Sequence, residues 1–160
     1  MDVGSKADFP ARNISNFAAH SFLFDGVECS SMEGLLQSFK YDDPKTQVEI
    51  CRLIGSDAQD RGQERNLAWK SVQKLWWKGR SYDRHGPEYQ TLLTKAFDAL
   101  ATNESFRKAL HSTGNEPLTH SVGKSDPSDT ILTEQEFCTQ LRRVREQLKS
   151  HTTGTLTIGD

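Results

Sequence analysis

The sequence lacks several things that would settle a class at once. No apolar run nears the roughly 18 residues needed to span a bilayer, so no membrane partner is expected. The opening stretch MDVGSKADFPAR has no apolar segment of the signal-peptide kind. Cysteine is scarce: Cys29, Cys51 and Cys138 are odd in number and in no ligand spacing, which predicts reduced thiols in a cytoplasmic protein. His20, His85, His111, His120 and His151 are scattered singly, so neither a metal site nor a cofactor is expected. GxSxG, HExxH, GxGxxG and GxxxxGK[ST] are all missing. Charge of one sign is missing too. With 20 basic against 22 acidic residues the formal net charge is −2, which argues against a general nucleic-acid coat.

What is present suits one domain of 160 residues, 34% hydrophobic and 26% charged. Residues 1–11 read as a flexible arm, 12–150 as the domain and 151–160 as a mobile tail. Alternating apolar residues around Asp25-Gly26 predict a β-hairpin over Ser21–Cys29. Ser30 or Ser31 caps a helix to about Tyr41, and Ser30-x-x-Glu33 has capping-box form. Asp43-Pro44 starts a second helix, stopped by Gly55. A short helix is expected within Ser56–Trp69, and another over about Lys70–Lys78, followed by a loop at Arg80–Gly86. Pro87 opens a helix whose apolar stripe is Tyr89, Leu92, Leu93, Ala96, Phe97 and Leu100. Asn103 caps the next, with Phe106 and Leu110 inward. Residues 115–132 lack helical periodicity, and a long irregular segment inside a compact domain is often functional. Thr133-x-x-Glu136 then caps a closing helix with Phe137, Leu141, Val144 and Leu148 on one face. The sum is an α+β, predominantly helical, single domain.

Chemistry has few places to sit. Glu33, Gln37 and Lys40 stand at i, i+4 and i+7 and share one helix face. Such a face can hold an acid, a hydrogen bonder and a nucleophile. Pattern alone favours a plainer account: a cap, a spacer and a solvated cation at the helix end. Asn16, in Ser15-Asn16-Phe17, can bind a ligand or close a turn on its own backbone, and the turn is favoured. Trp69, Trp76 and Trp77 can stack on bases or fill a core, and the core is favoured. The loop Thr119–Thr130 carries His120, Lys124 and Asp126, with Gly123 able to offer backbone N–H groups to a phosphate. It reads either as a ribose or phosphate loop folded over the helix face, or as a surface connector.

Taken in order, these segments resemble the NADAR, or YbiA-like, family. The resemblance rests on Ser15-Asn16-Phe17, then Phe24-Asp25-Gly26, then Ser31-Met32-Glu33-Gly34-Leu35-Leu36-Gln37-Ser38-Phe39-Lys40-Tyr41, a tryptophan region, Leu110-His111-Ser112-Thr113-Gly114 and a closing helix. It covers roughly 12–150. Where many members carry Asp-x-x-Trp-Gly, this chain reads His120-Ser121-Val122-Gly123-Lys124-Ser125-Asp126-Pro127, so its late loop diverges. The resemblance implies a YbiA-like fold with a short N-terminal hairpin and cleavage of a ribose–base N-glycosidic bond. The expected substrates are ADP-ribosylated guanine in DNA or RNA, or a related ribosylated nucleotide. It also implies roles. Glu33 would be acid/base and Lys40 the nucleophile. Asn16, Phe17 and Gln37 would bind the sugar or phosphates, and one of Trp69, Trp76 and Trp77 would stack on the base. The length and polarity of the late loop, apart from the resemblance, lead to the expectation that His120, Lys124 and Asp126 close the site. A non-catalytic ADP-ribose or nucleotide binder is the competing expectation.

Overall fold

The computed structural model describes residues 1–150 in full; the side chains of residues 151–160, where a mobile tail was expected, lie outside the described residues. A short 3-10 turn at Ala11–Ile14 precedes the first hairpin, β1 (Phe22–Phe24) and β2 (Val27–Cys29). Then come α1 (Met32–Ser38), α2 (Pro44–Cys51), α3 (Gly55–Gln63) and α4 (Asn66–Val72). A second hairpin, β3 (Lys74–Trp77) and β4 (Arg80–Asp83), leads to α5 (Pro87–Leu100), α6 (Glu104–Ser112) and α7 (Glu134–Gly159). The architecture is α+β and predominantly helical, with two separate antiparallel two-stranded sheets among the described residues.

The two hairpins share one turn chemistry. Asp25 and Gly26 take φ of 51° and 79°, and Lys78 and Gly79 take 48° and 84°. A two-residue turn with both φ positive matches the right-handed strand twist. The helix expected over Lys70–Lys78 is therefore replaced. α4 ends at Gln73, in the left-handed region at φ 53°, and the chain re-emerges as β3. Leu75 and Trp77 point inward while Lys74 faces water, an alternation of strand period. Two other expectations shift. Gly55 opens α3 rather than stopping α2, and the segment before Trp69 holds two helices rather than one.

The periodic helices form as their stripes require. Tyr89, Leu92, Leu93, Ala96, Phe97 and Leu100 of α5 are all buried. They meet Phe106 and Leu110 of α6 and Phe137, Leu141 and Val144 of α7 in one core. Thr133 and Glu136 complete their capping box reciprocally, at 2.8 and 3.0 Å. Across it, the buried Arg84 guanidinium grips the Glu136 carboxylate through two nitrogens, at 3.1 and 2.7 Å, and donates to the Thr130 carbonyl at 2.9 Å. That fork fixes the far end of the irregular segment.

At the centre lies α1, all seven residues of which are buried. Ser31 caps it by accepting the Gly34 N–H at 3.0 Å. Gly34 permits the tight approach of the chain after α2, since a Cβ there would lie 2.7 Å from the Leu53 carbonyl oxygen. The capping box expected from Ser30 and Glu33 does not form, because the Glu33 side chain turns along the helix instead.

The segment read as a flexible arm is docked. Asp2 and Thr119 form a parallel bridge, Val3 is 1% exposed, and the Val3 N–H donates to the Thr119 carbonyl at 2.8 Å. Burial of an apolar side chain and pairing of backbone groups together hold the arm against the late loop.

Candidate active site

The predicted face exists, with Lys40 in the turn just past α1, but it is not solvated. Glu33, Gln37 and Lys40 are 8%, 7% and 6% exposed. The loop after the 3-10 turn covers the start of the helix, where the Asn16 carbonyl accepts the Glu33 N–H at 3.0 Å. α3 and α4 cover its end. Gln37 donates from Nε2 to Glu33 Oε1 at 2.8 Å, the i, i+4 contact that the spacing allows. Lys40 Nζ donates to Asn66 Oδ1 at 2.7 Å.

Burial sets the electrostatics of this row. It pushes the Glu33 carboxyl above its ordinary value, partly offset by the Gln37 N–H and by the charges of Lys40 and His120. Burial also brings the Lys40 ammonium down to about 8, against the attraction of Glu33 and with help from Lys70 and Lys124. An acid raised and an amine lowered, about two turns apart along the chain, are the shifts that proton transfer and nucleophilic attack need near neutral pH.

A cleft of about 610 Å³ opens over Glu33 and Gln37. Its walls are the docked arm from Asp2 to Ala7, Ser15-Asn16-Phe17, Gln59 of α3, the late loop at His120 and Val122–Lys124, Thr130–Leu132, and Phe137 of α7. Asn16 lies here, its side-chain oxygen buried without a partner, and Phe17 lies beside it. Ser15 does close a local turn, accepting the Phe17 N–H at 3.3 Å.

His120 lies in the same wall, with Nδ1 2.7 Å from the Val3 carbonyl oxygen. A carbonyl only accepts, so Nδ1 carries the proton. The ring stands edge-on to Phe137 at 4.9 Å. Gly123 lets the loop pass this close, since a Cβ there would lie 2.6 Å from the imidazole.

Other expected site residues are elsewhere. Lys40 does not line the cleft; it sits a turn beyond, under Asn66. Asp126 is exposed and accepts the Ser128 N–H at 2.9 Å, closing a local turn outside the cleft. The tryptophans do not line it either. Trp69 and Trp77 are core residues, with Nε1 on Asn66 and on Asp25. Trp76 is half-buried beneath the Arg65 guanidinium, 5.8 Å from its ring. The aromatic lining is Phe17, His120 and Phe137. Conversely, the arm, Gln59 and Asn66 went unforeseen. They carry no periodic or motif signal, and only the fold brings them to α1.

Comparison with known proteins bears on the family and the fold. A family model described as bacteriophage protein GP30.3 matches residues 8–146. A protein of Enterobacteria phage T4, the uncharacterized 17.1 kDa protein of the Gp30–rIII intergenic region, is 34% identical over 150 residues, spanning 92% of this chain and 98% of that one. The NMR structure of the E. coli protein YbiA superposes with a TM-score of 0.63 at 20% identity, over 96% of this chain and 86% of that one, and shares the fold. The chain belongs to the bacteriophage GP30.3 family and has a YbiA-like fold.

Proposed function

We propose that this protein is an N-glycosyl hydrolase that removes ADP-ribose from ADP-ribosylated guanine in nucleic acid, or cleaves a related ribosylated nucleotide. One observation carries the reading. Glu33 is a buried carboxyl that still lines an open cleft, with the buried amine of Lys40 in the turn just past the end of its helix. When the bond from ribose C1 to the base nitrogen breaks, its electron pair stays on nitrogen, which must take a proton. The protonated Glu33 supplies it, and the carboxylate so formed faces the positive charge growing at C1. Lys40 Nζ, as the neutral amine and leaving Asn66, bonds to C1 through its lone pair; water, giving a proton back to the Glu33 carboxylate, then displaces the amine and releases the ribose. Asn16 and Gln37 hold sugar hydroxyls. The setting is the cytoplasm, in keeping with free thiols at Cys29, Cys51 and Cys138 and with no described helix long and apolar enough to cross a membrane.

The engagement of Lys40 with Asn66, outside the cleft lining, favours a second reading, a binder of ADP-ribose without turnover. Incubation with an ADP-ribosylated DNA oligonucleotide separates the two. Release of free ADP-ribose at a rate that falls in Glu33→Gln supports the hydrolase. Saturable binding with no product supports the binder.

A further inference from the structure

The docked arm brings a second cation to the cleft. Lys6 lines it from the arm and Lys124 lines it from the late loop. Both are exposed, and neither ammonium has a partner among the described residues. The two carboxylates that line the cleft do not answer them. Asp2 is taken up by the Ser121 N–H at 2.8 Å and by the hydroxyls of Ser121 and Thr119. Glu33 is held toward its neutral form by burial. Two free ammonium groups therefore border a cleft of nucleotide size, and ligand sites commonly run from about 300 to 1,000 Å³. On the late-loop side the lip is apolar beside Lys124, for Val122 is 77% exposed yet lines the same cleft.

We propose that Lys6 and Lys124 form a two-sided clamp for the diphosphate of an ADP-ribose-type substrate. The arm is thereby part of the binding site. A diphosphate offers oxygens on two phosphorus centres, so two point-charge donors from separate segments suit it. The parallel bridge between Asp2 and Thr119, with the Val3 backbone bonded to Thr119 and His120, keeps the two jaws at a fixed separation. Val122 covers apolar ligand surface beside the phosphates. The inference rests on the functional reading above for the identity of the ligand, and on the arm geometry for the site.

Equilibrium binding of ADP, ADP-ribose and unmodified single-stranded DNA tests it, using the wild type, Lys6→Ala and Lys124→Ala. Neither lysine has a folded-state partner, so both variants should melt with the wild type. Each substitution should weaken ADP and ADP-ribose by about tenfold, as for loss of a charge-assisted hydrogen bond. Unchanged affinity in either variant overturns the clamp, as does a wild type that binds neither nucleotide at millimolar concentration. Lys6-dependent binding of plain DNA without binding of ADP overturns the diphosphate assignment. Lys6- and Lys124-dependent ADP binding by a protein that releases no ADP-ribose upholds the clamp while overturning the hydrolase.

Discussion

The side-chain carbonyl of Gln37 occupies the space where a side chain on Gly62 would begin: a Cβ there would lie 1.7 Å from Oε1. Gly62 sits within α3, so alanine gains up to about 1 kcal/mol of helix propensity. Gln37 must then swing, and its hydrogen bond to Glu33 goes with it. Gly62→Ala should thus leave the melting temperature within a few degrees of wild type while lowering turnover about tenfold. Thermal melts and product release read the two effects separately, and undiminished turnover would mean that the Gln37 contact does not position Glu33.

Glu33→Gln separates chemistry from stability in the opposite sense. Turnover should fall at least about a hundredfold, the usual scale for losing an acid/base group. Because burial raises the Glu33 carboxyl above 4.5, the folded chain holds this proton more tightly than the unfolded chain. Stability is therefore lost as pH rises from that value through the raised one. The variant should melt at or above wild type at pH 8, and the gap should close below about pH 4. A variant less stable at pH 8 contradicts this.

Lys40 runs the other way. Its folded value is lowered from 10.5 to about 8, so between these values the unfolded chain binds more protons. The cost of burying the ammonium is complete below about 8 and is relieved as pH climbs toward 10.5. Denaturant melts of wild type and Lys40→Met across that range should show wild type gaining on the variant. A constant difference would mean that Lys40 titrates alike in both states.

The grip of Arg84 on Glu136 makes a structural prediction. Glu136→Ala leaves a guanidinium that is 1% exposed without its carboxylate and removes half of the α7 cap. Loss of one partner of a buried pair costs about 3–5 kcal/mol. The unfolding midpoint in urea should drop accordingly, and a loss below about 1 kcal/mol would show that water replaces the carboxylate.

Much of the fold was legible where one period ruled. The α5 stripe, the inward residues of α6 and α7, and the Asp25-Gly26 turn all formed as read. The second hairpin hid because Lys78-Gly79 adopts the same positive φ pair without the Asn or Asp that announces it. Trp76 and Trp77 fit a helix stripe as well as a strand. Pattern alone reads the Glu33–Gln37–Lys40 face as open to water, and the resemblance puts it on a cleft; Glu33 and Gln37 line that cleft, while Lys40 lies past the helix and outside the lining. What closes it, the arm, α3 and α4, is far away in sequence and has no pattern of its own. Position along the chain also misled for Asp126: it lies in the loop that reaches the cleft, yet on the part that turns away.

Because α1 presents no residue to bulk water, it has no neutral side on which substitutions can accumulate. A saturation library should find few tolerated changes in it, with tolerance concentrated at exposed cleft-wall positions such as Ser5 and Gln59. New substrate preferences in this lineage would then arise by redrafting the cover, leaving the helix beneath it unaltered.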